Sequence, residues 1–267
     1  MSTEPTNIYS HLPAIMQTHA DASRVSAKYD FIPTTTAIDL LAEYGYFPVA
    51  ANQVKSKTVQ RIGYAKHAIK FERQGFDDEF AKVQLLLRNA HDGASSFQLL
   101  QAAHIRLCSN GVVSYSDPFN SIRVLHKGFS EQQFIEAIIK FTERAPLILD
   151  QLGKYRAVKL SPAQMEHYAT KAIELRFDPV TDSYGIQRLP VAPQEVLRSR
   201  RYGDSKETLY DCFNRVQENL IDKGGVRGRS ASGRRFGVRA VTSVDTNISL
   251  NQKLWKLTSD FYQETHE

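Results

Sequence analysis

The stretch Asn89-Ala90-His91-Asp92-Gly93-Ala94-Ser95-Ser96 places an imidazole, a carboxylate and two hydroxyls within eight residues. Histidine titrates nearest neutrality, so His91 beside Asp92 has the makings of a general acid–base pair or of two metal ligands. A structural role competes with that chemistry. Asp92-Gly93 falls between two apolar runs, and Asp-Gly is a tight-turn signal because glycine tolerates positive φ; turn-shaping is the favoured reading. A second stretch, His104-Ile105-Arg106-Leu107-Cys108-Ser109-Asn110-Gly111, would set His104, Arg106 and Cys108 on one face of a strand. His104 and Cys108, with His91 or His126, have metal-ligating atom types. No Cys-x-x-Cys or His-Glu-x-x-His spacing accompanies them, so no metal is expected. Arg106 alternates with apolar neighbours and is a candidate phosphate contact, whereas Cys108 reads as a small buried hydrophobe.

The third stretch runs from Lys223 to Arg239 and holds six basic residues and five glycines without one acid. Glycines let backbone N–H groups approach a phosphate, and arginine pairs with it through two parallel hydrogen bonds. Read as a loop, it can track a nucleic-acid backbone through Lys223, Arg227, Arg229, Arg234, Arg235 and Arg239. Arg198, Arg200, Arg201 and Arg106 join that set, and Phe236 offers a ring on which a base can stack. Between Arg198 and Arg239 there are eleven basic residues against five acidic ones, a surplus of six in a chain whose whole net charge is +5. One segment therefore carries the entire excess, which points to a polyanionic partner. Just upstream, Asn214, Gln217, Glu218 and Asn219 are expected to form a hydrogen-bond network beneath this loop rather than to catalyse.

These residues need elements to position them. From Tyr46 to His126 the apolar runs are short, partly alternating and bounded by Gly, Asn, Asp and Ser, which predicts a mostly antiparallel sheet. Thr34 to Thr36 caps a short helix before it. Helical spacing takes over from Ser130, with Pro146 bending or breaking the first long helix. Ser161-Pro162 opens a second helix, Leu209 to Leu220 form a third that stops at Gly224-Gly225, and Leu250 to Phe261 form a last one carrying Trp255. The fold class is α+β, a mostly antiparallel sheet in the first half followed by packed helices. The expected organisation is a loose N-terminal arm over 1–34, a sheet-rich core with a long helix over 35–160, and a helical part with the basic loop over 161–267. The last two are compatible with one continuous domain.

The hydrophobic fraction is 42 % and the aromatic fraction 10 %, which excludes disorder throughout. No run of 18 apolar residues and no secretory signal occurs, so neither a membrane nor an export route is expected. Two cysteines cannot build a disulfide scaffold, and the expected location is the bacterial cytoplasm. Phosphate-binding P-loop, dinucleotide and nucleophile-elbow motifs are all missing, so no cofactor is expected.

Four blocks resemble a phage- and plasmid-encoded family of the domain-of-unknown-function 932 type. Asn89-Ala90-His91-Asp92-Gly93-Ala94-Ser95 is similar to its Asn-Ser-His-Asp-Gly-Ser pattern. His104 to Gly111 resembles its Val-Arg-Val-Val-Cys-x-Asn pattern, with Gly111 where relatives carry Thr. Asp211-Cys212-Phe213-Asn214-Arg215-Val216-Gln217-Glu218-Asn219 with Gly224-Gly225 looks like its Asn-Arg-Val-Gln-Glu-Asn and Gly-Gly block, and Leu250-Asn251-Gln252-Lys253-Leu254-Trp255 is similar to its Leu-Asn-x-x-Leu-Trp ending. The resemblance implies work on mobile DNA and names no chemistry. By architecture alone, a sheet followed by a long helix with a basic groove is also similar to the single-strand annealing proteins of phage recombination systems.

The expected function is an ATP-independent DNA-binding protein of a phage or plasmid, binding or annealing single strands in recombination, with self-association into an oligomer. Annealing asks for no catalytic residue, so an enzyme is the less favoured reading. Two alternatives stay open: a metal-assisted nuclease centred on His91 and Asp92, and an inhibitor of a host defence protein.

Overall fold

The computed structural model describes residues 8–27, 29–56, 58–105, 114–115, 121–124, 130–182, 184–200 and 207–265. Its helices are α1 (Thr34–Glu43), α2 (Glu131–Ala157), α3 (Pro162–Glu174), α4 (Pro193–Val196), α5 (Leu209–Gln217) and α6 (Val244–Glu264). Its strands are β1 (Tyr46–Gln53), β2 (His67–Asp77), β3 (Ala81–Asn89), β4 (Phe97–Ile105), β5 (Ser114–Tyr115), β6 (Ser121–Val124), β7 (Val180–Thr181), β8 (Gln187–Arg188), β9 (Gly224–Arg229) and β10 (Arg235–Arg239). The fold is α+β, as the alternation of short runs and helical spacing predicts. The chain divides into two compact units, Met1–His104 with Phe119–Leu149, and Ile105–Pro118 with Asp150–Glu267.

In the first unit, β1, β2, β3 and β4 follow one another across a sheet, and β6 pairs with β4. The registers of β1 on β2, β2 on β3 and β6 on β4 are antiparallel. Strand β2 alternates strictly at first, burying His67, Ile69 and Phe71. Strand β3 is buried on both faces from Val83 to Asn89, which is why its sequence reads as a continuous apolar run rather than an alternation. Against the sheet pack Ile38 and Leu41 of α1, and Phe134, Ala137, Ile138 and Phe141 of α2.

Two expectations differ here. The segment read as a loose arm buries Ala14, Ile15 and Ile32, and Ile15 and Ile32 belong to this core. Its apolar residues lack periodicity because they lie in turns, not because they lie in solvent. Thr34 does not cap α1: the preceding Pro33 occupies the N-cap position, and the Thr34 hydroxyl turns inward to His67.

In the second unit, α3, α5 and α6 enclose a core of rings. Phe213 meets Trp255 edge-on at 5.9 Å, and Tyr168 meets Phe261 at 5.4 Å. The buried phenols keep their hydrogen bonds, Tyr168 with Thr258 and Tyr155 with Ser259. Ser161 and Gln164 form the reciprocal capping box that starts α3. Pro146 does not break α2, which continues through it; only the hydrogen bond to the carbonyl one turn earlier is forfeited. Among the described residues no helix is long and apolar enough to cross a membrane.

Ile15 has no exposed surface. Ile15→Ala should therefore cost about 2–5 kcal/mol, as for other fully buried aliphatic truncations. Urea unfolding checks this, and a loss below about 0.5 kcal/mol would show that residues 8–33 do not dock.

Candidate nucleic-acid interface

The tract read as a loop is a two-stranded antiparallel ribbon, β9 with β10. Along β9 burial alternates: Gly224, Val226 and Gly228 face in, while Gly225, Arg227 and Arg229 face out. Along β10, Phe236 and Val238 face in, and Arg235, Gly237 and Arg239 face out. Register sets Arg229 opposite Arg235, and Arg227 opposite Gly237. Arg227, Arg229 and Arg235 thus share one exposed face; Arg239, beyond a register shift after Gly237, is exposed too, as is Arg234 in the connecting turn. That turn closes by Ser230 N–H donating to the Arg234 carbonyl and by Gly233 at φ +79°. Two glycines are required by packing. A Cβ on Gly224 would stand 2.4 Å from the Val238 carbonyl oxygen, and one on Gly228 would stand 2.4 Å from the Phe236 ring.

The other edge of β9 is taken by the segment before α4. Arg229 N–H donates to the Pro190 carbonyl at 2.7 Å, and Val191 bridges Gly228. Glu195 of α4 accepts the Arg227 N–H through Oε2 at 3.0 Å. The junction leaves a cavity of about 340 Å³ whose lining includes Arg188, Glu195, Arg227, Arg229 and Arg235.

Beneath the ribbon, α5 widens into a π-helical turn, Glu218–Asp222. The Asn219 side chain is fully buried and donates to the Val196 and Arg198 carbonyls at 2.9 and 2.8 Å. Its oxygen accepts Arg200 Nε at 2.6 Å, and the Arg200 guanidinium also reaches the Gly224 carbonyl. Arg176 donates to the carbonyls of Leu220 and Arg239. Gln217 continues the network through Asn251 to Asn247.

The structure separates the arginines by task. Arg227, Arg229, Arg234, Arg235 and Arg239 are exposed, and no carboxylate among the described residues lies within ion-pair distance of them. Arg198 is exposed as well. Arg200 instead braces the start of the ribbon, and Lys223 pairs with Glu218 at 3.3 Å. Phe236 is half-buried, its ring lying on Gly228. Arg106 and Arg201 lie outside the described residues. Arg188 and Glu195 had no signal in the local sequence; only the pairing of residues 190–191 with β9 brings them to the ribbon.

His91 and Asp92 point to different partners. Asp92 accepts the Ala94 N–H and pairs with Arg24 at 3.0 Å, shaping a turn in which Gly93 has φ +73°. The His91 ring is fully buried against Phe31 and His67, and its Nε2 lies 3.3 Å from the Thr34 hydroxyl. The same hydroxyl bonds His67 Nε2 at 2.8 Å and accepts from Asn89 Nδ2 at 3.1 Å. Cys108 lies outside the described residues, as does His126. Cys212 is buried, and desolvation pushes its thiol up to about 11, away from nucleophilic reactivity. Among the described residues no group of three or more His, Cys, Asp or Glu side chains could hold a metal.

A family model described as "Domain of unknown function (DUF932)" matches residues 22–255. Two proteins of Escherichia coli (strain K12), UPF0380 protein YfjQ and UPF0380 protein YafZ, are each 31 % identical over 248 residues, covering 93 % of this chain and 87 % of their own length. No solved structure matches the chain significantly.

Buried His67 makes the first unit sensitive to acid. Burial lowers the His67 pKa to about 4, from an ordinary value near 6.5. Between those values the unfolded chain binds a proton that the folded chain refuses. Stability therefore falls as pH drops from about 6.5 to about 4, by about 1.4 kcal/mol per unit, and levels off below. His67→Gln should shrink the difference in urea midpoint between about pH 7.5 and about pH 5. A difference equal to that of the wild type would show that His67 is not the group that titrates.

Proposed function

Starting from a chain that belongs to the DUF932 family, a domain of unknown function, we propose an ATP-independent protein that binds DNA, single strands by preference, and promotes their annealing during recombination of a mobile element. The observation that supports this reading is the outward face of the ribbon. Arg229 and Arg235 stand directly opposite, which in an antiparallel pair brings their Cβ atoms to about 5 Å. Arg227 is two residues along β9, about 7 Å away on the same face. Like charges so placed repel one another, and among the described residues no carboxylate lies within ion-pair distance of their guanidinium groups. A row of phosphates would. Each phosphate so neutralised releases condensed counterions, which supplies the driving force for binding without reading sequence.

Glu195 fits the same reading. One carboxylate beside four arginines discourages a compact anion from filling the whole cavity, and it offers an acceptor to the amino group of a base. Work on a mobile element would place the protein in the bacterial cytoplasm.

The test is a salt titration of DNA affinity. For a single strand, the slope of log K against log salt changes by about 0.7 per phosphate contact. Arg227→Ala, Arg229→Ala and Arg235→Ala combined should lower the magnitude of the slope by up to about 2 and weaken binding at low salt. The side chains are exposed and repel one another, so the melting temperature should not fall. An unchanged slope with an intact fold would remove the ribbon from any DNA site.

A further inference from the structure

The hairpin of β7 and β8 leads straight into this surface. Val180 pairs with Arg188 and Thr181 with Gln187, and the tip between them carries Tyr184, 87 % exposed, and Ile186, 61 % exposed. A ring so exposed on a loose loop would need no explanation. This loop is built. The Asp182 carboxylate accepts the N–H groups of both Tyr184 and Ile186 at 3.0 Å. Asp182 N–H donates to the Ile186 carbonyl, and Gly185 N–H donates to the Asp182 carbonyl with Gly185 at φ +77°. Asp182 also lies 3.9 Å from Arg188. The ring is therefore held out in advance, which lowers the entropy lost when something stacks on it.

The chain then runs from Arg188 through Leu189 and Pro190 to the edge of β9. Arg188 lines the same cavity as Arg227, Arg229 and Arg235. Arg188 lies four residues along from Tyr184, at most about 14 Å of extended chain. An exposed ring thus stands within a few nucleotides' reach of a phosphate-binding face.

We propose that Tyr184, flanked by Ile186, is a base-stacking contact for single-stranded nucleic acid whose phosphates lie on the β9–β10 ribbon. This rests on the nucleic-acid reading of that ribbon and deepens it. Bases in a duplex are already stacked and paired, so a side chain held outside the groove has nothing to stack on. An unpaired strand offers a π-face at every residue whatever the sequence. A strand whose phosphates are held and whose bases are turned to the hairpin is displayed for pairing with a complement.

The experiment compares a fluorescent oligothymidylate, an abasic oligonucleotide of the same length and a duplex, by anisotropy across a salt series. The proteins are wild type, Tyr184→Ala, Tyr184→Trp and the triple arginine variant. Tyr184→Ala should bind oligothymidylate about tenfold more weakly, bind the abasic strand and the duplex as wild type does, and keep the wild-type salt slope. Tyr184→Trp should retain affinity. If Tyr184→Ala binds oligothymidylate like wild type while the arginine variant does not, the stacking contact is overturned and the ribbon reading stands. If Tyr184→Ala weakens all three ligands equally, the hairpin is not a base contact, and the proposal is again overturned. If wild type binds no oligonucleotide, both readings fall, and the hairpin is left as a contact for another protein.

Discussion

Asn219 uses its side chain completely. Both amide N–H groups donate to carbonyls of residues 196 and 198, and the oxygen accepts a hydrogen bond from Arg200. A fully buried amide without such partners would cost about 1–3 kcal/mol for each unpaired atom, so the three contacts stand or fall together. Because Arg200 also holds the Gly224 carbonyl, Asn219 fixes where β9 begins relative to the segment that will line its edge. The outward position of Arg227 and Arg229 follows from that fixed start and the period of two along a strand.

The ribbon is amphipathic in an extreme form. Its inner face is Val226, Val238 and a phenyl ring lying on glycine; its outer face is guanidinium and glycine. Two strands alone are marginal in water, and a pair whose outer side chains repel is more so. The support comes from below and from the side: the Arg176 hydrogen bonds to main chain, the Asn219 network, and the third strand-like segment at Pro190 and Val191. A surface that repels itself when empty has to be held in shape by the rest of its unit, and this one is.

The fold class was legible because the signals behind it are local. Ser161 at a capping box, an apolar run at β3 and the glycine pair after α5 each say what they are within a few residues. The ribbon was harder. Its alternation of inside and outside was present, but glycine occupies two of the three inner positions of β9 and carries no hydropathy, so the period of two was silent. Arginines also read alike in a sequence. Arg200 and Arg227 differ only in what surrounds them, and Asn219, nineteen residues from Arg200, decides the matter. Thr34 shows the same limit: a hydroxyl at the start of a helix reads as a cap until His67, thirty-three residues away, claims it.

The wide turn from Glu218 to Asp222 holds one residue more than an α-helical turn needs. Asn219 sits in that turn, so removing the residue would draw its side chain off the Val196 and Arg198 carbonyls and off Arg200. The heading of the cationic face thus depends on the turn staying wide. Loss of one codon is the shortest genetic route by which a descendant could keep the helices and strands and surrender the surface they display.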